Sequence, residues 1–371
     1  MKIVCMKSDL QNSVNISFRA VSSKTTMPIL ECIEITVTDN FIKFTSNDME
    51  IGIETIVKGE IIETGDVAIN AKLLSDIIRK LPDSEVCIET DLNYTVTITS
   101  GKSKFSIPAK ISDEFPSLPE VEKTDALVLS QFSLKELVRQ TVFSISDSEN
   151  NKIMTGELFE VNDNKLRVVS LDGHRISVRR IELKNPFRNI KVIVPGKTLN
   201  EISKILSGEM DSEVRIYFTD KHIIFEFDDT MVLSRLIEGE YYKVDQMLIR
   251  DYETKVTVNK KEFLDSIDRA TLLVKESEKK PIIISIRDNE MGMEMVSNLG
   301  SMNESIDIEK EGSDLMIGFN PKFLMDALRV IDEEEISLYM MNPKAPCFIK
   351  DKEESYIYLI LPVNFNSTAR Q

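Results

Sequence analysis

The sequence predicts an α+β fold in which one domain of about 120 residues occurs three times. The first observation is a block of short strand, helix, acidic turn and second strand that recurs along the chain. The helical lysines of this block, Lys72, Lys197 and Lys322, lie 125 positions apart. The second observation is an amphipathic pattern that begins each repeat. A chain of 371 residues is long enough to form three such cores.

The pattern that begins each repeat has apolar residues at i, i+3 or i+4, and i+7 or i+8, which is typical of a helix with one buried face. Its aligned leucines, Leu10, Leu137 and Leu264, are 127 positions apart. Each repeat therefore contains two predicted helices. The six predicted helical segments are 7–24, 71–81, 132–146, 196–206, 260–275 and 322–331.

Between the helices the hydrophobic pattern alternates with period 2, as at 33–38, 96–99, 166–169 and 223–227, which indicates antiparallel strands. The two helices of each repeat are expected to cover one face of these sheets. Proline and charged residues accumulate at 112–125 and 238–254 and mark the boundaries. The predicted domains are 1–122, 123–248 and 249–371, with a frayed tail at 366–371.

Composition limits the class of protein. Hydrophobic residues make up 42% of the chain and charged residues 29%, as in an ordinary globular protein. The longest apolar run, 356–363, is too short to cross a bilayer, so the protein is expected in the cytoplasm. Four scattered cysteines and two histidines predict neither a disulfide framework nor a metal site.

The distribution of charge points to nucleic acid although the net charge is −16. The six predicted helical segments together carry +8, so the remainder of the chain carries −24. If the repeat places these helices on one side, they form a basic surface that attracts duplex phosphates without reading sequence. The alternative is that the helical lysines are ordinary solvated side chains.

The sequence contains no recognisable catalytic signature. Gly196-Lys197-Thr198 resembles the end of a P-loop, but Lys191 stands where that motif requires glycine. Residues 172–175 (DGHR) look like a hairpin turn with local hydrogen bonds more than a catalytic cluster. The sequence therefore predicts a protein that is not an enzyme and needs no cofactor.

Seven short motifs make the chain similar to a known family over nearly its whole length. They are TMPIL at 26–30, SNDME at 46–50, FPSLP at 115–119, SLDGHRI at 170–176, VIVP at 192–195, FN at 319–320 and YLILP at 358–362. In this order and spacing the chain resembles the bacterial sliding clamps, the β subunits of DNA polymerase III. The resemblance implies a DNA clamp fold of three domains, and a head-to-tail homodimer that closes a six-domain ring around double-stranded DNA.

The resemblance also implies partners. A clamp tethers the DNA polymerase III alpha subunit, is opened by a separate clamp-loader ATPase, and binds other polymerases and repair proteins through short linear motifs. No membrane partner is implied. A repeat-built scaffold that binds peptides but no DNA is the main alternative, and an enzyme is the more distant one.

Helix placement together with the resemblance predicts which basic residues contact DNA. They are Lys7, Lys24, Lys72, Arg79, Lys80, Lys135, Arg139, Lys152, Lys197 and Lys204. Lys24 matches a basic position of the family, and the others depend on their helices.

In the family, partner peptides insert hydrophobic anchors between the second and third domains. The matching positions are Met154, Leu171, Gly173, His174, Arg175, Ile176, Tyr242, Met247, Asn320, Phe323, Pro346, Leu359, Leu361, Pro362 and Val363. Tyr242 departs from the family, which often has proline there. From the residues alone, the preferred interpretation is that Met154, Leu359 and Leu361 are core residues of terminal strands.

The family's subunit interface pairs a strand of the first domain with a helix of the third. This points to Phe105 and Ile107 facing Leu272 and Leu273. Consecutive leucines at a helix end leave at least one of them pointing away from its own core, which favours a partner surface. The alternative is that Leu272 and Leu273 only complete the amphipathic helix.

Overall fold

The computed structural model describes residues 1–22, 24–248, 251–274 and 280–365. The predicted tail at 366–371 and the end of the predicted helix at 260–275 lie outside these residues. The chain divides into two compact units, which we call unit 1 and unit 2. Unit 1 is Met1–Lys135 with Thr198–Leu236, and unit 2 is Glu136–Lys197 with Ile237–Gln371.

The described residues contain six α-helices, one in each predicted segment. They are α1 (Lys7–Ser17), α2 (Ala71–Lys80), α3 (Gln131–Arg139), α4 (Gly196–Ile205), α5 (Lys260–Thr271) and α6 (Pro321–Val330). Two helices are shorter than predicted, because 3-10 turns at Phe18–Ala20 and Val142–Ser144 follow α1 and α3. Asparagine side chains cap three of the helices by accepting a hydrogen bond from a first-turn N–H group, at Asn70, Asn259 and Asn320.

The strands are short, apart from two long ones, and every pairing between them is antiparallel. In chain order they are β1 (Lys2–Met6), β2 (Cys32–Val37), β3 (Ile42–Asn47), β4 (Ile51–Val57), β5 (Glu60–Glu63), β6 (Gly65–Asn70), β7 (Glu85–Thr90), β8 (Thr95–Ser100), β9 (Ser103–Pro108), β10 (Ala126–Ser130), β11 (Gly156–Leu171), β12 (Arg175–Pro195), β13 (Glu213–Phe218), β14 (His222–Phe227), β15 (Thr230–Arg235), β16 (Thr254–Asn259), β17 (Ile282–Arg287), β18 (Glu290–Ser297), β19 (Gly300–Asp307), β20 (Glu309–Gly312), β21 (Leu315–Phe319), β22 (Glu335–Met340), β23 (Cys347–Lys350) and β24 (Tyr356–Ile360).

Unit 1 contains two sheets and the packed helices α1 and α2. One sheet has the order β5-β1-β7-β8-β9, and the other has the order β10-β13-β14-β15-β4-β3-β2-β6. Leu10 and Val14 of α1 and Leu74 and Ile78 of α2 are buried in one cluster with Phe44 of β3. The apolar stripe that predicted each helix is therefore the face that it buries against the sheets.

Unit 2 repeats this arrangement with α5 and α6. Its sheets have the orders β11-β12-β24-β23-β22-β16-β20 and β19-β18-β17-β21. Phe263 of α5, Leu328 of α6 and Phe319 of β21 are fully or almost fully buried in the main core. A second apolar cluster lies around β11, β12 and β24.

The repeat is clearest in three hairpins: β3–β4 with its turn at 48–51, β11–β12 with its turn at 172–175, and β18–β19 with its turn at 297–300. In the first two hairpins the second strand also pairs with a later strand, and the register is the same. Ile51, the first residue of β4, pairs with Ser234, the fifth residue of β15. Arg175, the first residue of β12, pairs with Ile360, the fifth residue of β24. Among the described residues, β19 pairs only with β18, so its other edge is open.

Candidate functional site

The turn at 172–175 is built by one aspartate and one glycine. Asp172 Oδ1 accepts hydrogen bonds from the N–H groups of His174 at 2.9 Å and Arg175 at 3.1 Å. Gly173 has a φ of 87°, which glycine adopts without the steric cost that a side chain brings. These bonds confirm that the DGHR segment is a hairpin turn.

Arg175 fastens this turn to helix α6. Its guanidinium lies 2.9 Å from the Asp172 carboxylate and 2.7 Å from that of Asp326, and it stacks on the Phe323 ring at 4.5 Å from the centroid. The His174 ring also stacks on the Phe323 ring, with 6.0 Å between the two ring centroids. Because Arg175 is only 8% exposed, its charge is held by paired carboxylates in a fixed geometry.

Asp326 is not among the predicted site residues, although a signal for it exists in the sequence. It lies three residues after Phe323, so both side chains are on the same face of α6. A carboxylate on the half-buried face of a helix needs a cationic partner. The sequence does not show which cation that is, because Arg175 is 151 residues away.

An apolar floor lies beside the turn. Ile176 pairs across the strands with Leu359, and both belong to one buried cluster with Leu171. Met154 and Tyr242 pack against this cluster and are half-buried. Leu359 is thus a core residue, as one of the two interpretations held, and it also forms part of the floor. We call this surface, with the turn at 172–175 and Phe323, the partner groove.

The chain after β24 forms the rim of the partner groove. The Leu361 N–H group donates to the His174 carbonyl at 2.8 Å, and the Val363 N–H group donates to the Gly318 carbonyl at 2.8 Å. Leu361 and Val363 keep 37% and 36% of their surface exposed, and Met247 keeps 44%. These side chains offer apolar surface around a buried floor, as a site for hydrophobic anchors requires.

The remaining predicted groove residues make hydrogen bonds or are half-buried in their own part of the chain. Asn320 accepts a hydrogen bond from the Lys322 N–H group as the cap of α6. Pro346 and Pro362 are half-buried. Tyr242 packs edge-on against Tyr241 at 6.2 Å, and its hydroxyl accepts a hydrogen bond from the Asn151 side chain. The departure from proline therefore adds a hydrogen-bonded aromatic wall.

A buried carboxyl group, Glu157, lies in β11 next to this cluster. Burial raises its pKa well above 4.5. Thr141 Oγ1 lies 3.1 Å from Glu157 Oε2 and donates to the Leu137 carbonyl at 2.6 Å, so its one hydrogen is already used. A protonated Glu157 can donate to Thr141 and complete this chain of bonds. Burial raises the pKa of Tyr241, and the negative charge of an ionised Glu157 would raise it further.

The ten predicted DNA contacts fall into two groups. Exposed side chains are those of Lys24, Lys72, Arg79, Lys80, Lys152, Lys197 and Lys204, and half-buried ones are those of Lys7, Lys135 and Arg139. Several of the ten are bound to groups of their own unit. Arg79 pairs with Asp76, Arg139 with Glu136 and Asp332, and Lys204 with Glu201, and Lys135 donates to the Leu206 carbonyl.

The observed helix bounds also correct the charge distribution. Helix α2 carries +2, α3, α4 and α6 carry +1 each, and α1 and α5 are neutral. The prediction that all six helices are basic is therefore wrong for two of them. Helix α1 ends before Arg19 and Lys24, and α5 carries Glu262, Asp265 and Asp268 against three basic residues.

Two of the predicted interface residues lie on an edge strand of unit 1, and the other two follow helix α5 in unit 2. Phe105 and Ile107 are on the same face of β9, an edge strand of unit 1. Phe105 is 38% exposed, whereas Ile107 is 8% exposed and packs in the unit 1 core. Leu272 is 77% exposed directly after α5, and Leu273 is half-buried against the unit 2 core.

Two features are absent from the part of the chain that the structure describes. No helix there is long and apolar enough to span a membrane. No group of three or more His, Cys, Asp or Glu side chains there could hold a metal ion.

Comparison with known proteins gives one consistent result. Models of the N-terminal, central and C-terminal domains of the DNA polymerase III beta subunit match residues 1–119, 128–243 and 245–364. The beta sliding clamp of Bacillus subtilis is 36% identical over 377 residues, covering 98% of this chain and 99% of its own, and that of Staphylococcus epidermidis is 36% identical over 363 residues, covering 95% and 96%.

Solved structures agree with these matches. A crystal structure from Eubacterium rectale, described as a DNA polymerase III beta subunit, has 62% identity and a TM-score of 0.95, covering 99% of this chain and 100% of its own. The DNA polymerase sliding clamp of Bacillus subtilis has 34% identity and a TM-score of 0.94 over the same shares.

Glu157→Gln should change how stability depends on pH. Folded wild-type protein keeps a proton that the unfolded chain releases above about pH 4.3. The stability that this proton contributes is complete below that pH and is lost as the pH rises, by about 1.4 kcal/mol per pH unit until the raised pKa is reached. Residue 157 of the variant does not titrate. The free energy of unfolding of the variant, measured relative to that of wild type, should therefore rise by up to about 1.4 kcal/mol per pH unit between about pH 5 and 7.

Urea unfolding followed by circular dichroism measures this difference at each pH. The exposed Glu182 on the neighbouring strand provides Glu182→Gln as the control for loss of a carboxylate. A difference between Glu157→Gln and wild type that is independent of pH would contradict a neutral Glu157.

Proposed function

The chain belongs to the DNA polymerase III beta subunit family, and we propose that it is a non-catalytic sliding clamp that encircles duplex DNA as a head-to-tail homodimer. The observation that carries the proposal is the strand junction that occurs twice among the described residues and leaves β9 and β19 without a partner of this kind. The clamp would hold the replicative polymerase on DNA in the cytoplasm without reading sequence, and a separate clamp-loader ATPase would open it.

The ring is expected to close because a second copy would supply the strand partner that the third hairpin lacks. The hairpins β3–β4 and β11–β12 each pair with a later strand, whereas β18–β19 has no such neighbour among the described residues. The strand that corresponds to β15 and β24 in the first repeat is β9, which also has an open edge. Exposed strand edges leave backbone N–H and C=O groups unpaired, so a second copy that joins β9 to β19 satisfies both.

The shared register specifies this contact. In both existing junctions the first residue of the hairpin's second strand pairs with the fifth residue of the later strand. Applied to β19 and β9, the rule places Gly300 opposite Ile107 and Asn303 opposite Lys104 of a second copy. A Cβ atom at Gly300 would lie 3.9 Å from Leu273, so the end of α5 borders this junction. The predicted interface residues would then supply apolar contacts beside the paired strands.

The double variant Lys104→Cys with Asn303→Cys should form disulfides between copies, because directly opposed residues of antiparallel strands lie at distances that a disulfide can bridge. On mild oxidation it should run as a covalent dimer of twice 42.3 kDa in non-reducing denaturing gels, and reductant should reverse this.

Each single cysteine variant controls for the native cysteines, and Lys104→Cys with Asn298→Cys controls for register, because Asn298 lies in the turn. A ladder of higher oligomers would indicate an open filament in place of a ring. Equal cross-linking of both double variants would contradict the register.

The exposed lysines of the helical segments are the proposed contacts for the duplex. Lys72 and Lys80 of α2 and Lys24 after α1 are exposed, and no ion pair with them is found within the described residues. The six helices together carry a net +5, while the rest of the chain carries −21. Contacts to phosphates alone allow sliding, since every position on the duplex is equivalent.

Changing Lys24, Lys72 and Lys80 together to Glu should weaken binding to a linear duplex and flatten its salt dependence. Each lost phosphate contact lowers the slope of log K against log salt by about 0.9. Fluorescence anisotropy across a salt series measures the slope. The matched control changes Lys58, Lys221 and Lys344 to Glu. These three lysines are exposed and lie outside the helices.

The intramolecular ion pairs of Arg79, Arg139 and Lys204 favour the alternative of a scaffold that binds peptides but no DNA. That alternative requires the same slope for both triple variants and for wild type. A lower slope in the triple variant of Lys24, Lys72 and Lys80 alone would exclude the peptide-binding scaffold.

The partner groove is the proposed site for short linear motifs of the DNA polymerase III alpha subunit, other polymerases and repair proteins. Its floor is apolar and already buried, and Arg175 holds its turn in place before any partner arrives. A preformed site of this kind avoids the entropic cost of ordering the receptor on binding.

Met247→Ser with Leu361→Ser should lower affinity for a partner peptide about 10-fold or more, because the rim loses apolar contact area. Overlapping synthetic peptides that cover the replicative polymerase subunit of the same cell serve as probes, with calorimetry as the readout. Leu92→Ser with Met210→Ser, at exposed apolar side chains elsewhere, is the control. Equal affinity of both double variants would place the peptide site outside this groove.

A further inference from the structure

Unit 1 contains a hairpin turn of the same construction as that of the partner groove. Asp48 Oδ1 accepts hydrogen bonds from the N–H groups of Glu50 at 3.0 Å and Ile51 at 2.8 Å, as Asp172 does in unit 2. Met49, with a φ of 75°, takes the left-handed conformation that Gly173 has in unit 2. A methionine is held in this disfavoured conformation only where the surrounding bonds require it.

The frame around the two turns is also the same. Ser46 Oγ donates to the Ser17 carbonyl at 2.6 Å, and in unit 2 Ser170 Oγ donates to the Thr141 carbonyl at 2.5 Å. The Arg235 N–H group donates to the Glu50 carbonyl at 3.0 Å, which matches the bond from Leu361 to His174. Unit 1 therefore carries the backbone of a second groove.

The two grooves differ in what lies on their floors. The position of Ile176 in unit 2 corresponds to Gly52 in unit 1, since each is the second residue of its strand and pairs with the fourth residue of the later strand. A Cβ atom on Gly52 would lie 2.3 to 3.2 Å from three carbons of the Leu118 side chain. Leu118 therefore lies directly on the floor of the unit 1 groove, in space that any larger residue at position 52 would take.

Neighbouring contacts hold the same segment down. Asn47, which corresponds to Leu171, donates a hydrogen bond from Nδ2 to the Pro116 carbonyl at 3.2 Å. Phe115 is 6% exposed and is buried in a small cluster with Ile29 and Leu30. The segment 115–119 thus has a buried aromatic anchor, a backbone bond to the groove wall and a leucine on the floor.

We propose that residues 115–119 are an internal occupant of a second peptide groove in unit 1, with Gly52 as the residue that admits Leu118. A segment that is tethered next to its site has a high effective concentration, so a free peptide does not displace it. Each chain then offers one open peptide site instead of two. This inference rests on the proposed function, because it takes the partner groove of unit 2 as a peptide site.

The experiment uses the full chain with two variants that release Leu118 by different means. Gly52→Ala removes the space for the leucine, and the backbone at position 52 does not have a positive φ, so alanine brings no strain there. Leu118→Ala removes the side chain itself. Ile53→Val, on the opposite face of the same strand, is the control for a general loss of packing.

Two measurements are made on each variant. Hydrogen exchange of residues 112–122 should accelerate about 10-fold or more in Gly52→Ala and Leu118→Ala and stay near the wild-type rate in Ile53→Val. The probe for binding is the synthetic polymerase peptide that wild-type chain binds, titrated by calorimetry. Its stoichiometry should rise from one per chain in wild type to two in the releasing variants.

The outcomes separate the two proposals. No peptide binding by wild-type chain would overturn the partner groove itself. One peptide per chain in wild type and also in variants with a released segment would overturn only the second groove. Unchanged hydrogen exchange in both variants would show that Leu118 does not hold the segment, which also overturns the internal occupant.

Discussion

The pairing of strands across the repeat boundaries is the constraint on which the rest of this structure depends. Each repeat ends its sheets with strands whose backbone groups need partners. The hairpins β3–β4 and β11–β12 find them in β15 and β24, and this joins neighbouring repeats by main-chain hydrogen bonds instead of by side chains alone. The same rule leaves β9 and β19 without a partner of this kind among the described residues, and this supports the proposed pairing with a second copy.

The strand junctions also create the grooves. Where a hairpin meets a later strand, the turn, the end of that strand and the chain beyond it lie together. In unit 2 the Arg175 guanidinium, held between Asp172 and Asp326, fixes the turn against α6, and Ile176 with Leu359 closes the floor. In unit 1 a glycine on the floor admits the chain's own leucine. One substitution between related positions thus separates an open groove from a filled one.

Electrostatics act over the whole surface instead of at a single site. Ion pairs within the helices reduce the charge that Arg79, Arg139 and Lys204 present. Where such a pair is exposed, as between Arg79 and Asp76, it contributes about 0 to 1 kcal/mol and breaks readily in favour of a phosphate. An acidic remainder and modestly basic helices fit a protein that must hold a polyanion loosely enough to move along it.

By itself the sequence determined the α+β class, the threefold repeat, the six helices and the hairpin turn at 172–175. These depend on local patterns: periodicity, a spacing of 125 or 127 residues, and turn chemistry in consecutive residues. Only the tertiary structure decided where α1 and α3 end, which helices carry charge, that Asp326 holds Arg175, and that Leu118 lies on Gly52. Each of these is a contact or a boundary set by residues far apart in the chain, and no local pattern records which distant side chain fills a given space.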